Sequence, residues 1–231
     1  MNNYIFLQAR MGSTRLPGKT LKDLNRLPLI LHVINRLELI NSCEIVLLTS
    51  DTKKDDILEK WCKENSTLCF RGSEDNVLER YYNAAKFYKA NNILRATGDN
   101  PLIEPYFANE LLNKHIESKA DYSSNKSEVG SNLPDGLGIE IFTFEALESS
   151  MQKSTQEHHF EHVNEYILEN RDKFKIYKDC NVGGLIDKSN IRLTVDTSDD
   201  FKKVEAIFKN QNFKIDINYN DLLGLVKGIY L

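Results

Sequence analysis

The first two-thirds of the chain alternates short apolar runs with longer amphipathic stretches. Runs at 4–8 (YIFLQ), 44–49 (EIVLLT), 67–70 (TLCF), 92–96 (NILRA) and 121–124 (DYSS) predict strands. Between them, 28–41, 53–65, 75–90 and 105–118 read as helices. In the second of these, Ile57, Leu58, Trp61 and Cys62 share one face by i, i+4 spacing. Strand-helix-strand repetition implies a mostly parallel sheet with helices on both faces.

Residues 126–143 break this rhythm. A Gly/Pro loop gives way to alternation, with Ile139, Ile141 and Phe144 set against Glu140 and Thr143, which predicts an antiparallel or edge strand. Helices are expected near 144–151 and 157–170, then a late strand at 190–195 (NIRLTV). A helix after Asp196-Thr197-Ser198-Asp199-Asp200 and another at about 216–229 complete the pattern. Nothing repeats at a solenoid period and no low-complexity linker divides the chain, so 1–231 is expected to be one α/β domain. Ligands of open α/β sheets bind beyond the carboxyl ends of the strands. Three polar loops stand at such ends: 8–20, 97–100 and 196–200.

Composition narrows the class. A net charge of −4 argues against broad nucleic-acid binding, which needs a basic surface. Cys43, Cys62, Cys69 and Cys180 are scattered without a CxxC, and three lie in apolar segments, so buried free thiols are expected. No secretory h-region or twenty-residue apolar stretch is present, which predicts a cytoplasmic protein without membrane contact.

The loop behind the first strand, QARMGSTRLPGKT, comes one residue short of a Walker A loop. Ser13 stands where the first glycine belongs, Pro17 offers no N–H, and Pro28 follows Lys19 too soon for the Walker helix. A different device uses side chains. Gly12 permits close approach, Ser13 brings a hydroxyl, and Arg10, Arg15 and Lys19 place three cations beside one strand end. That concentration suits a triphosphate and its departing pyrophosphate. A solvated basic loop is the plainer alternative.

Asp99 and Asp196 each follow a predicted strand. Hard oxygen ligands on loops are how Mg²⁺ is usually held, and these two are candidates. The structural alternatives are an Asx turn for Asp99 and a helix N-terminal acid for Asp196, although Ser198 is the better N-cap. A competing metal pattern is His158-x-x-Glu161-His162, the spacing of an inverted zinc peptidase. It lacks a third protein ligand and leaves the basic loop and both aspartates unused.

QARMGSTRLPGK resembles the signature of CTP-dependent cytidylyltransferases that make CMP-activated sugars, among them the CMP-KDO and CMP-sialic acid synthetases. The spore-coat polysaccharide branch is the nearest match. FRGSEDNVLERYYNAA (70–85), RATGDNPLIEP (95–105), GLGIEIFTFEALE (136–148), FEHVNEYI (160–167) and RLTVDTSDDFKKV (192–204) follow in the family's order. The resemblance implies a nucleotide-diphospho-sugar transferase-like, Rossmann-type three-layer sandwich with a small dimerisation arm at 126–170, and hence a homodimer formed by strand addition. It implies Mg²⁺ on Asp99 and Asp196, with Arg15 and Lys19 stabilising the leaving pyrophosphate. It further implies base and ribose contacts from Arg71 and Ser73, and cytosine reading by the backbone of Ala9 and Arg10. Gly136, Ile139, Glu140, Glu161 and His162 fall on the acceptor side. Thr14 departs from the sialate and KDO branches, where a lysine usually stands, so one phosphate cation is missing. The implied reaction joins CMP from CTP to a sugar or sugar-acid acceptor. Two other classes fit the residues less fully: a sugar-1-phosphate nucleotidyltransferase using UTP or TTP, and a non-catalytic nucleotide-binding partner.

Overall fold

The computed structural model describes residues 2–182, 187–210 and 216–230. Its sheet comprises β1 (Asn3–Gln8), β2 (Cys43–Ser50), β3 (Leu68–Gly72), β4 (Asn92–Thr97), β5 (Tyr122–Ser124), β6 (Glu140–Thr143) and β7 (Ile176–Lys178). They pair in the order β3-β2-β1-β4-β6-β5-β7. Within this sheet, among the described residues, only β6 runs antiparallel to its neighbours, β4 and β5, and a separate antiparallel ribbon joins Asp23–Leu24 to Leu27–Pro28. The helices are α1 (Leu29–Leu37), α2 (Asp56–Glu64), α3 (Val77–Tyr88), α4 (Pro105–Ser118), α5 (Phe144–Lys153), α6 (Glu157–Glu161), α7 (Glu165–Glu169), α8 (Ser198–Asn210) and α9 (Tyr219–Tyr230).

Successive side chains of β1 enter different cores, as the pleat requires. Ile5 and Leu7 pack with Val33, Leu37, Leu111 and Ile141 on one face. Phe6 packs with Leu78, Tyr81, Phe142 and Leu147 on the other. Both faces are therefore covered, which is why the run is apolar without alternation. A third core joins Leu16 of the opening loop, Leu193, Val195 and the inner faces of α8 and α9. No described helix is long and apolar enough to cross a membrane.

Several expectations need correction. The late strand at 190–195 is not a sheet strand. It runs extended past the Gly/Pro loop with one bridge, Asp135 to Arg192, and its Leu193 and Val195 feed the third core. The helix expected over 157–170 breaks at His162, whose backbone is extended, because Val163 drops into the α3-side core. Ile57 is half-exposed, leaving Leu58 and Cys62 as the buried stripe of α2. All four cysteines are free, but only Cys62 is buried, and Cys180 is exposed. Finally, β6 is antiparallel but internal. Its hydrogen-bonding edges are taken by β4 and β5, so it has none to offer a second subunit.

Candidate active site

Register places the loops. Gln8 of β1 lies level with Thr97 of β4, so these two strands end together, and with Leu48 of β2, which runs two residues further. Gly98 then donates its N–H to Gln8 O at 2.8 Å. A Cβ there would meet Ile30 Cδ1 at 3.0 Å and Ala9 Cβ at 3.1 Å, so glycine lets the two loops leave the sheet in contact.

The opening loop is tied down on both sides. Thr20 Oγ1 donates to Arg10 O at 2.9 Å, and Gly18, at φ 70°, turns the chain into Lys19. From α2's side, buried Asp55 accepts from Met11 N at 2.7 Å, Ser50 N at 3.1 Å and Ser50 Oγ at 2.5 Å. Burial alone would raise the pKa of Asp55, but these donors outweigh it and lower it. Asp55→Asn is expected to cost about 2 kcal/mol in urea unfolding at pH 7. The wild-type advantage is present above the unfolded carboxyl pKa and fades as pH falls through the lower folded value.

Lys19 is the centre of the site. Its Nζ donates to Asp99 Oδ2 at 3.1 Å, Asp196 Oδ1 at 3.0 Å and Val195 O at 2.8 Å. The segment bearing Asp196 is held by Val195 N donating to Asp99 O at 2.8 Å. Asp196 also meets Arg15 Nη2 at 3.1 Å and Arg192. Burial opposes its ionisation, yet Lys19, Arg15 and Arg192 hold its pKa below the ordinary value. Thr197, rather than Ser198, caps α8. Its Oγ1 accepts from Asp200 N at 3.2 Å while Asp200 Oδ2 accepts from Thr197 N at 2.8 Å, a reciprocal capping box.

These groups open onto a cavity of about 730 Å³. Ala9, Arg10, Ser13, Arg15, Lys19, Asp99, Asp196, Glu161 and His162 all line it. Other candidates lie elsewhere. Arg71 is spread over Ser50 O, Thr52 O, Asp56 and Glu59. Ser73 Oγ accepts from Asn76 N, and Asn76 caps α3. Gly12 lies beside Glu74, outside the lining set. Gly136, at φ 95°, lies so close to Leu193 and Thr194 that a Cβ would come within 3.1 Å of their backbone. It supports the Asp196 segment instead of facing the cavity.

Two lining arginines were not anticipated. Arg80 is buried, donates from Nη1 to Ser73 O at 2.6 Å, leaves Nε unbonded and makes no ion pair among the described residues. Arg95 lines the cavity with Glu140 behind it: Arg95 Nη1 lies 2.7 Å from Glu140 Oε1. Glu140 is 1% exposed and also accepts from Tyr122 Oη at 2.7 Å, with Lys126 Nζ at 3.6 Å. Glu140, expected on the acceptor side, is therefore not on the cavity wall itself, and Arg95 stands between the two. The alternation along 139–144 predicts the strand and does not reveal this buried pairing.

A sheet of this order, with a cationic loop and two acidic loops at one end, has the nucleotide-diphospho-sugar transferase architecture. The CTP complex of CMP-2-keto-3-deoxy-manno-octonic acid synthetase shares the fold, with a TM-score of 0.64, 18% identity, and coverage of 91% of this chain and 100% of that one. The cytidylyltransferase family profile matches residues 4–221, and the chain belongs to that family. A cytidylyltransferase structure from Leptospira borgpetersenii superposes with a TM-score of 0.90 at 32% identity, covering 99% of this chain and 94% of that one. The spore coat polysaccharide biosynthesis protein SpsF of Bacillus subtilis is 31% identical over 98% of this chain and 95% of its own length.

Proposed function

We propose that this protein transfers CMP from CTP to an oxygen of a sugar-type acceptor and releases pyrophosphate. The observation that carries the reading is the convergence of Lys19, Asp99 and Asp196 at the cavity, with Arg15 alongside. The donor set fits Mg²⁺: both carboxylates already reach a single cation, the Lys19 ammonium, and hard oxygens are the ligands this ion takes. When bound there, Mg²⁺ supplies charge that polarises the α-phosphate. Lys19 and Arg15 neutralise the charge that grows on the leaving pyrophosphate. The backbone of Ala9 and Arg10 meets the base, while Arg95, Glu161 and His162 face the acceptor. The acceptor oxygen bonds to the α-phosphorus as the bond to the pyrophosphate oxygen breaks, and the acceptor's proton passes to water in the open cavity.

The Bacillus relative is named for spore coat polysaccharide biosynthesis, which supports a place in surface-glycan assembly. A homodimer belongs to this proposal. With β6 paired on both edges, the contact is made by side chains of the 126–170 region. The test is calorimetric titration with CTP, UTP, TTP and ATP, with and without Mg²⁺, paired with pyrophosphate release. Selective, Mg²⁺-dependent CTP binding is expected. Equal binding of all four removes the cytidylyl assignment, and a preference for UTP or TTP moves the protein to the sugar-1-phosphate class.

A further inference from the structure

The break at His162 dissolves the His158-x-x-Glu161-His162 pattern and assembles a different set. Glu157, Phe160, Glu161 and His162 go to the cavity wall. His158 and His159 instead meet Glu169 of α7, with His158 Nε2 at 2.7 Å from Oε1 and His159 Nε2 at 2.8 Å from Oε2. One ligand atom from each of the three residues falls within 4.8 Å of the others. The two imidazoles stand 4.4 Å apart at 64°. His159 is buried and set edge-on to Tyr166 at 5.4 Å, so packing aims its Nε2 at the shared point before any ligand arrives.

Two imidazole nitrogens and one carboxylate form a donor set for Zn²⁺ and its first-row neighbours, not for Mg²⁺. The ordinary use of such a cluster, a half-exposed carboxylate accepting two imidazole N–H groups, returns little stability for the side-chain entropy it costs. A stronger demand exists at this place. α6 and α7 have five residues each, too few for helices that stand without outside support. Yet α6 and the turn after it carry four residues of the cavity wall.

We propose that His158, His159 and Glu169 form a binding site for Zn²⁺ or a chemically similar divalent transition metal, which clamps α6 to α7. Binding requires both Nε2 atoms unprotonated, so each imidazole gives up its N–H bond to Glu169 and presents a lone pair to the ion. A water completes the coordination. The site stands independently of the transferase reading; only its effect on the acceptor end of the cavity rests on that reading.

The test uses the full chain, stripped with chelator and titrated with Zn²⁺ in excess Mg²⁺. One Zn²⁺ per chain is expected. Glu169→Gln and His158→Gln should each weaken binding at least about tenfold, since losing a ligand costs no less than losing an outer partner of one. His158 is half-exposed, so its variant retains the fold, which circular dichroism checks. The Asp99→Asn/Asp196→Asn double variant should bind Zn²⁺ as the wild type does. No binding by the wild type, unchanged affinity in both arm variants, or loss in the double variant would overturn the site. A chain that binds Zn²⁺ in this way but releases no pyrophosphate from CTP would keep the clamp and lose the transferase reading.

Discussion

Asp196→Asn is expected to lower CTP-dependent pyrophosphate release at least about a hundredfold at pH 7, some 2.7 kcal/mol of barrier, by removing one of the two carboxylates proposed to hold Mg²⁺. Asp99→Asn should behave alike, because Lys19 Nζ touches both carboxylates at nearly equal distances, 3.1 and 3.0 Å. Folding should survive either change. In Asp196→Asn, Lys19 keeps Asp99 and Val195 O, and the Thr197–Asp200 capping box is untouched. The measurement is steady-state turnover beside a thermal melt of each variant. Near-normal turnover in both variants would remove the paired-carboxylate site.

The largest stability effect belongs to Glu140. Glu140→Ala is expected to cost about 3–5 kcal/mol in denaturant unfolding, because it leaves buried positive charge without its counter-ion. Arg95 and Lys126 would both face the gap, and Tyr122 Oη would lose its acceptor. Burial pushes the Glu140 carboxyl upward, but Lys126, Arg95 and Tyr122 more than offset it and hold the pKa below the ordinary value. The sign for pH follows. The stabilisation is present above the unfolded value near ~4.3 and is lost as pH falls through the lower folded value. The Ala variant should therefore lose less stability than the wild type between pH 5 and acid. A cost below about 1 kcal/mol would mean that Arg95 finds solvent instead.

Much of this was legible because local pattern and tertiary role agree. The apolar runs of β1, β2 and β4 enter covered faces, and the polar loops at strand ends meet at one end of the sheet. The opening loop's cations and Asp99 were readable because each follows a strand end, whereas Asp196 was found only because the extended segment before it carries a strand-like pattern. Arg80 and Arg95 were not. Each lies inside a helix or strand, and whether a charge there is buried depends on partners such as Glu140, 45 positions from Arg95. The late segment misled for a related reason. Alternating apolar residues serve equally well to line a helix-packed core as to enter a sheet, and Leu193 and Val195 do the former. His158 and Glu169 lie 11 positions apart on two helices that one continuous period had merged.

Asp196 is attached to the molecule differently from Asp99. Asp99 leaves a strand at the middle of the sheet, whereas Asp196 rides on an extended segment secured by one bridge, the bond to Asp99 O and the third core under α8 and α9. The two halves of the acidic pair thus belong to units that can open separately. Opening of the third core is expected to loosen the Asp196 segment, and with it the Leu16 end of the opening loop, before the pairings of the seven-stranded sheet are lost. Substitutions at Phe201, Val204 or Leu222, which line that core and not the cavity, are therefore expected to impair the proposed reaction before they unfold the sheet.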